Sequence, residues 1–197
     1  YTASDIQVLE GMEAVRRRPG MYIGSTEQRG LHQLIYEVVD NAVDEFMAGR
    51  GAKVNIQIEQ DGSVRVEDDG GGIPTDIHKT TGTSAVETVM TTLHAGGKFG
   101  GKAYSVSSGL HGVGVSAVNA LSSRLRVEIY REGKVHSQEF SAGKSTTELT
   151  DSKMDPSMNG RTGTVVSYTP DAGIFPEISY DYNVLAQRFK EMAYLNK

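Results

Sequence analysis

Glu37-Val38-Val39-Asp40-Asn41-Ala42-Val43-Asp44-Glu45 sets an apolar and an acidic pattern side by side. It reads as the middle of a helix running from about Gly30 to Met47. Leu31, Leu34, Ile35, Val38, Val39, Ala42, Val43 and Phe46 recur at three- and four-residue spacing and make one apolar face. Glu37, Asn41 and Asp44/Glu45 fall at i, i+4 and i+7/i+8, a polar stripe along the same helix. A carboxylate one turn before a carboxamide is usable chemistry. Glu37 can accept a proton from a water, and Asn41 offers an oxygen to a hard cation such as Mg2+. Taken alone, a solvated face is the ordinary explanation of an acidic helix. The stretches on either side change that reading.

The chain has 197 residues, so a single domain spanning 1–197 is the default. A hydrophobic content of 38% is enough for a core. Cysteine is absent, which excludes disulfides and thiolate metal sites. No apolar run approaches a membrane span and no signal peptide opens the chain, so a soluble cytoplasmic protein with no membrane partner is expected. The net charge of −5 argues against this segment being a general nucleic-acid grip. The 23 glycines are clustered rather than spread, and the clusters carry the argument.

Upstream, Tyr1 to Glu10 reads as an exposed arm entering a short helix. Arg16-Arg17-Arg18 then reads as a solvated basic run or a phosphate grip, and Pro19-Gly20 ends the preceding helix. Downstream, Lys53 to Glu59 and Ser63 to Glu67 alternate as strands, and Asp61-Gly62 between them signals a hairpin. The second strand runs into Asp68-Asp69-Gly70-Gly71-Gly72-Ile73-Pro74. Two carboxylates and three glycines leave little bulk, so a planar ligand can approach the backbone. Asp68 can then accept a hydrogen bond from the exocyclic amine of a base. A mobile turn is the competing reading.

Thr83 to His94 reads as a helix capped by Ser84 or Thr83. His94-Ala95-Gly96-Gly97-Lys98-Phe99-Gly100-Gly101 follows, a glycine loop able to close as a lid (95–108) with Lys98 reaching a phosphate. Ser108-Gly109-Leu110-His111-Gly112-Val113-Gly114-Val115-Ser116 is a second glycine cluster feeding a helix start, an arrangement that presents backbone N–H groups to an anion. Its spacing matches neither the dinucleotide fingerprint nor the Walker A pattern. Leu125 to Tyr130, Lys134 to Phe140 and Thr162 to Thr169 read as strands, with Lys144 to Thr150 as a further candidate. Asp151 to Arg161 reads as a loop, and a helix from about Asp181 to Leu195 follows.

The order of these features resembles the ATPase fold shared by gyrase B, Hsp90, histidine kinases and MutL, the GHKL or Bergerat type. Arg18-Pro19-Gly20-Met21-Tyr22-Ile23-Gly24, Leu93-His94-Ala95-Gly96-Gly97-Lys98-Phe99 and Gly109-Leu110-His111-Gly112-Val113-Gly114-Val115-Ser116 narrow the resemblance to the bacterial type II topoisomerases. Within them it points to the N-terminal ATPase domain of the gyrase B family, with the equivalent chain of topoisomerase IV as the alternative. The resemblance implies an α/β fold, a two-layer sandwich in which a mixed, mostly antiparallel sheet is covered by helices on one face. It implies ATP and Mg2+ as ligands. Glu37 would be the general base, Asn41 would hold Mg2+, and Asp68 would bind the adenine amine, aided by Thr164. Glu45, Gly72, Ile73 and Tyr104 would lie around adenine and ribose. Lys98 and Gly109, Leu110, His111, Gly112, Val113, Gly114 and Val115 would contact the phosphates. Tyr1 would reach a partner protomer's nucleotide, and Arg131 with Pro74 would form the rim where aminocoumarin inhibitors bind. The implied partners are the gyrase A protein, a second gyrase B protomer through ATP-dependent dimerisation, and DNA through the full-length enzyme. ATP would be coupled to DNA supercoiling.

Three departures qualify these expectations. Gly71 stands where the family usually has an arginine that pairs with the carboxylate at Glu45, so Glu45 is expected to lose its partner and the pocket mouth to be more open and more negative. Gln33 replaces a histidine that usually bonds to the glutamate; it can orient Glu37 but cannot carry a positive charge, so weaker general-base catalysis is expected. Ser108 replaces a usual glycine. The transducer domain and the DNA-cleavage region lie outside these 197 residues, so the chain is expected to bind nucleotide better than it turns it over. The rival class is a nucleotide-binding module with little turnover, acting as a ligand-gated dimerisation element. A histidine kinase or an Hsp90-type chaperone is disfavoured, because this sequence contains neither a preceding helical phosphoacceptor domain nor a long charged linker.

Overall fold

The computed structural model describes residues 11–93, 113–158 and 160–195. The elements in chain order are α1 (Gly11–Arg17), α2 (Gly20–Ile23), α3 (Gln28–Met47), β1 (Val54–Ile58), β2 (Val64–Asp68), α4 (Ala85–Thr91), α5 (Val115–Ala120), β3 (Ser122–Arg131), β4 (Lys134–Ser141), β5 (Lys144–Ser145), β6 (Thr150–Lys153), β7 (Gly163–Pro170) and α6 (Tyr182–Leu195).

The strands form one sheet in the order β1-β2-β7-β3-β4-β5, with β6 also pairing β4. The expected α/β sandwich with a mostly antiparallel sheet is present, and every pairing among the described strands is antiparallel. The chain visits the sheet as hairpins, which need only short turns, and β7 then inserts between β2 and β3. That insertion brings the end of β2 beside the start of β7: Glu67 faces Val165 across the ladder.

Alternation along the strands separates the two faces. Val64, Val66, Leu125, Val127 and Ile129 are buried against the helices. Arg65, Glu67, Arg126 and Glu128 point to the other face, where they form Arg–Glu pairs with Arg124, Glu139 and Arg161. Met154 and Met158, beyond β6, cover part of that face against Tyr130 and Val165.

The helical layer is centred on α3, whose apolar stripe places Leu31, Leu34, Ile35, Val38, Val39, Ala42 and Val43 in the core. Its first turn is capped by Ser25, whose Oγ accepts the Gly30 N–H at 3.1 Å. The α4 helix starts where the sequence predicts, with Ser84 Oγ accepting the Glu87 N–H at 3.1 Å, but it ends at Thr91 because Thr92 is extended. Every residue of α5 is buried, and Asn119 Nδ2 ties it to the Met90 carbonyl of α4 at 2.7 Å.

Three local readings are corrected. Arg17 and Arg18 are exposed, but Arg16 is a structural clasp: it bonds to the Ala120 carbonyl and to Asp171 Oδ2, each at 2.8 Å, and so ties α1 to the ends of α5 and β7. Asp151, Ser152 and Lys153 lie in the strand β6 rather than the expected loop, and the Lys144–Thr150 candidate is only the short β5 and the start of β6. In α6 only Leu185 is buried, and Val184, expected on the apolar face, is exposed. The α6 helix is held instead by rings: Tyr36 meets Phe189 edge-on at 5.8 Å, and Tyr180 before the helix stacks on His32 at 6.2 Å.

Candidate functional site

Four elements converge at one end of the sheet: α3, the end of β2, the start of β7, and the loop 70–74. The start of α5 joins them as a fifth, through Gly114. Glu37 is 3% exposed, and each of its carboxylate oxygens has a donor. Oε1 accepts the Gln33 Nε2–H at 3.0 Å, one turn earlier on the helix. Oε2 accepts the Gly114 N–H at 3.1 Å, from the residue that precedes α5. A buried carboxylate fixed at both oxygens by neutral donors keeps its orientation and its acceptor lone pairs, as a base that draws a proton from water requires. Gln33 orients Glu37 as expected from the sequence. Val113, Gly114 and Val115 lie beside Glu37's end of the site.

Asp68, the last residue of β2, is buried. Its Oδ1 accepts two backbone N–H groups, from Gly70 at 2.8 Å and from Thr164 at 3.3 Å. Both bonds fall on one oxygen, which leaves Oδ2 with acceptor capacity. Burial pushes its pKa up to about 6; the two N–H bonds oppose that, and the Glu45 and Asp69 carboxylates add to it. Thr164 is buried, and its Oγ1 accepts the Ile73 N–H at 3.3 Å, so one threonine stitches the glycine loop to β7. The neighbouring Gly163 sits at φ +145, and a Cβ there would lie 2.1 Å from the Asp68 carbonyl oxygen. Only glycine permits the backbones of β2 and β7 to come together at the carboxylate.

Arg131 Nη1 bonds to the Gly72 carbonyl at 3.2 Å, holding the loop from the β3 side, and Pro74 beyond it is exposed. Asn41 lies on α3 one turn after Glu37 and is half-buried. No cluster of three or more His, Cys, Asp or Glu side chains able to hold a metal ion occurs among the described residues. That donor set fits a Mg2+ held by one protein oxygen and completed by phosphate oxygens and water, and it does not fit an all-protein cage.

Glu45 corrects an expectation. It does not lose its partner at Gly71. Arg50 supplies the guanidinium, with Nε to Oε2 at 2.9 Å and Nη2 to Oε1 at 3.3 Å. The Gly71 N–H also reaches Oε2, at 3.2 Å. The mouth therefore carries a neutralised carboxylate rather than a bare one. Sequence reasoning missed Arg50. The available signal was a lone cation between Gly49 and Gly51 directly after the acidic stripe. Asp69 was missed as well: its Oδ1 accepts the Ala52 and Lys53 N–H groups, both at 2.8 Å, which anchors the turn carrying Arg50.

The structure thus joins Gln33, Glu37 and Gly114 at one end of the site, and Asp68, Thr164, Ile73, Gly72 and Arg131 at the other, where Glu45 meets the glycine loop; Asn41 stands on α3 between the two ends, and Pro74, Val113 and Val115 are chain neighbours of these residues. Tyr1, Lys98, Tyr104, Gly109, Leu110, His111 and Gly112, with the lid 95–108, lie outside the described residues.

Comparison with known proteins identifies the family. Residues 26–172 match the family described as histidine kinase-, DNA gyrase B-, and HSP90-like ATPase. The whole chain is 59% identical to the DNA gyrase B protein of Synechocystis sp. and covers 18% of that protein. It is 54% identical to the DNA gyrase B protein of Halalkalibacterium halodurans, covering 30% of it, and 53% identical to the mitochondrial DNA gyrase B protein of Arabidopsis thaliana, covering 27%. The chain spans less than a third of the length of these relatives.

Proposed function

This chain belongs to the histidine kinase-, DNA gyrase B-, and HSP90-like ATPase family, and on that footing we propose that it is the ATP-binding and ATP-hydrolysing domain of a gyrase B-type topoisomerase. In this reading the adenine amine donates to Asp68, with Thr164 beside it, and Glu45, Gly72, Ile73 and Tyr104 line the base and ribose. Lys98 and residues 109–115 contact the phosphates, and Tyr1 reaches across to a second protomer. Bound at Asn41, Mg2+ would neutralise charge on the phosphate oxygens. Glu37, held by Gln33 and Gly114, takes the proton of the water that attacks the γ-phosphate in line. Hydrolysis then depends on positioning and charge neutralisation more than on covalent chemistry by the protein.

The observation that carries the reading is the fixing of both Glu37 oxygens, one by its own helix and one by the second glycine cluster 77 residues away. It links the proposed base to the proposed phosphate loop. Glu37→Ala is expected to lower ATP turnover by at least about a hundredfold, the scale of a lost general base, while nucleotide affinity stays within a few-fold. Turnover measured by phosphate release, beside calorimetric affinity, checks this; full turnover in Glu37→Ala would show that another group is the base.

Coupling to DNA supercoiling, dimerisation with a second gyrase B protomer, assembly with the gyrase A protein, action in the cytoplasm, and aminocoumarin binding at Arg131 and Pro74 belong to the proposal for the longer enzyme. No helix among the described residues is long and apolar enough to cross a membrane. A second reading, a nucleotide-gated module with little turnover, is favoured by Gln33, a neutral donor to the base. It predicts binding without phosphate release.

A further inference from the structure

The loop 70–72 is three glycines and brings no cation of its own to the acidic end of β2. A cation arrives from a different element. Arg50 lies in the turn after α3 between Gly49 (φ +80) and Gly51 (φ +82). Its own N–H bonds to the Glu45 carbonyl at 2.9 Å, which folds the turn back on the helix end. From there the guanidinium meets both oxygens of the Glu45 carboxylate, at 2.9 and 3.3 Å. Glu45 in turn accepts the Gly71 N–H at 3.2 Å. A Cβ built on Gly70 would lie 2.9 Å from Glu45 Cβ and 3.0 Å from Asp68 Oδ1, so the Glu45 stem and the Asp68 carboxylate flank the same glycine.

The space above Gly71 is occupied by the same side chain. A Cβ at Gly71 would meet Arg50 Cδ at 3.0 Å and Nε at 3.3 Å. Glycine at 71 and arginine at 50 are therefore two halves of one arrangement: the first clears the room that the second fills. The Arg50 side chain is 42% exposed against 16% for Glu45. A pair this open to water contributes little to folding stability. Its consequence falls on whatever enters between the glycine loop and the helix end.

We propose that Arg50 is a positioning and specificity-determining residue at the base-binding side of the site, holding Glu45 in a two-point pair beside Asp68 and presenting a planar cation at the pocket mouth. The inference rests on the reading of Asp68 as the adenine acceptor. A guanidinium does this where an ammonium would not, because its fork matches both carboxylate oxygens and its flat face can lie against an aromatic ring. Glu37 sits two turns earlier on α3, so the effect belongs to binding and not to the hydrolytic step.

The test compares the wild-type chain with Arg50→Ala, Arg50→Lys, Gly71→Arg and the double variant Arg50→Ala/Gly71→Arg. Affinities for ADP and for a non-hydrolysable ATP analogue with Mg2+ are measured by calorimetry, kcat by phosphate release, and folding by thermal unfolding. Arg50→Ala is expected to weaken both nucleotides by the same factor, on the order of tenfold, with kcat within twofold and an unchanged unfolding midpoint. Arg50→Lys recovers only part of the affinity. Gly71→Arg weakens binding, and the double variant recovers much of what either single change loses. The proposal is overturned by unchanged affinity in Arg50→Ala, by a loss confined to the ATP analogue, by a fall in kcat alone, by a collapsed unfolding midpoint, or by a double variant no better than the singles. Failure of the wild-type chain to bind either nucleotide would instead overturn the adenine reading itself, and this proposal with it.

Discussion

Asp68 shows how one residue links folding to ligand chemistry. Its carboxyl titrates near 6 because burial disfavours the charge more than two N–H bonds favour it. The folded state thus binds this proton more tightly than the unfolded chain. Stability from this residue is complete below the ordinary carboxylate pKa near 4 and is lost as pH rises through about 6. Asp68→Asn removes that loss, so its stability relative to wild type is expected to rise by about 2–3 kcal/mol between pH 4 and pH 7. Urea denaturation of both proteins at the two pH values checks this; a difference independent of pH would contradict it. At this scale the Gln33–Glu37 bond was legible from helical spacing, and the place of Asp68 at a strand end from the alternation of β2. The sequence was not legible for Arg50 or Arg16, whose partners are set by turns and by chain segments far away. Arg16 and Asp171 are 155 positions apart.

Among the elements, α3 and the β1–β2 hairpin were legible because each carries one uninterrupted period, 3.6 or 2. The β6 strand was not. Thr150-Asp151-Ser152-Lys153 has no alternation, and it becomes a strand through its pairing with β4, Lys134 opposite Lys153 and His136 opposite Asp151. The α6 periodicity overstated its burial, because the helix rests on rings at its edge rather than on a continuous stripe. The junction of β2 and β7 holds the element-scale prediction. Gly163→Ala places a methyl where the Asp68 carbonyl oxygen is 2.1 Å away, at a φ of +145 that L-residues rarely adopt. Backbone must move, so a loss on the order of 2–3 kcal/mol is expected. Because the displaced backbone carries Asp68 and Thr164, nucleotide affinity should fall with it. Denaturation midpoints and calorimetry test both; a stable variant with wild-type affinity would show that the junction relaxes freely.

For the molecule as a whole, the sheet supplies a rigid floor and the site is assembled from the ends of its elements. The lower face is a solvated lattice of arginine and glutamate; the upper face is the apolar core. The glycine clusters carried the resemblance, and their order along the chain made the architecture legible from residues alone. The wholly antiparallel pairing of the described strands was less legible, since it depends on β7 returning between β2 and β3 rather than on any local pattern. In the proposed function, adenine nucleotide binds at Asp68. The most direct measurement is calorimetric titration of the chain with a non-hydrolysable ATP analogue and Mg2+, beside Asp68→Ala. Saturable one-to-one binding that Asp68→Ala abolishes is the predicted result. Equal binding by the two proteins, or none by the wild type, would show that Asp68 is not the adenine acceptor.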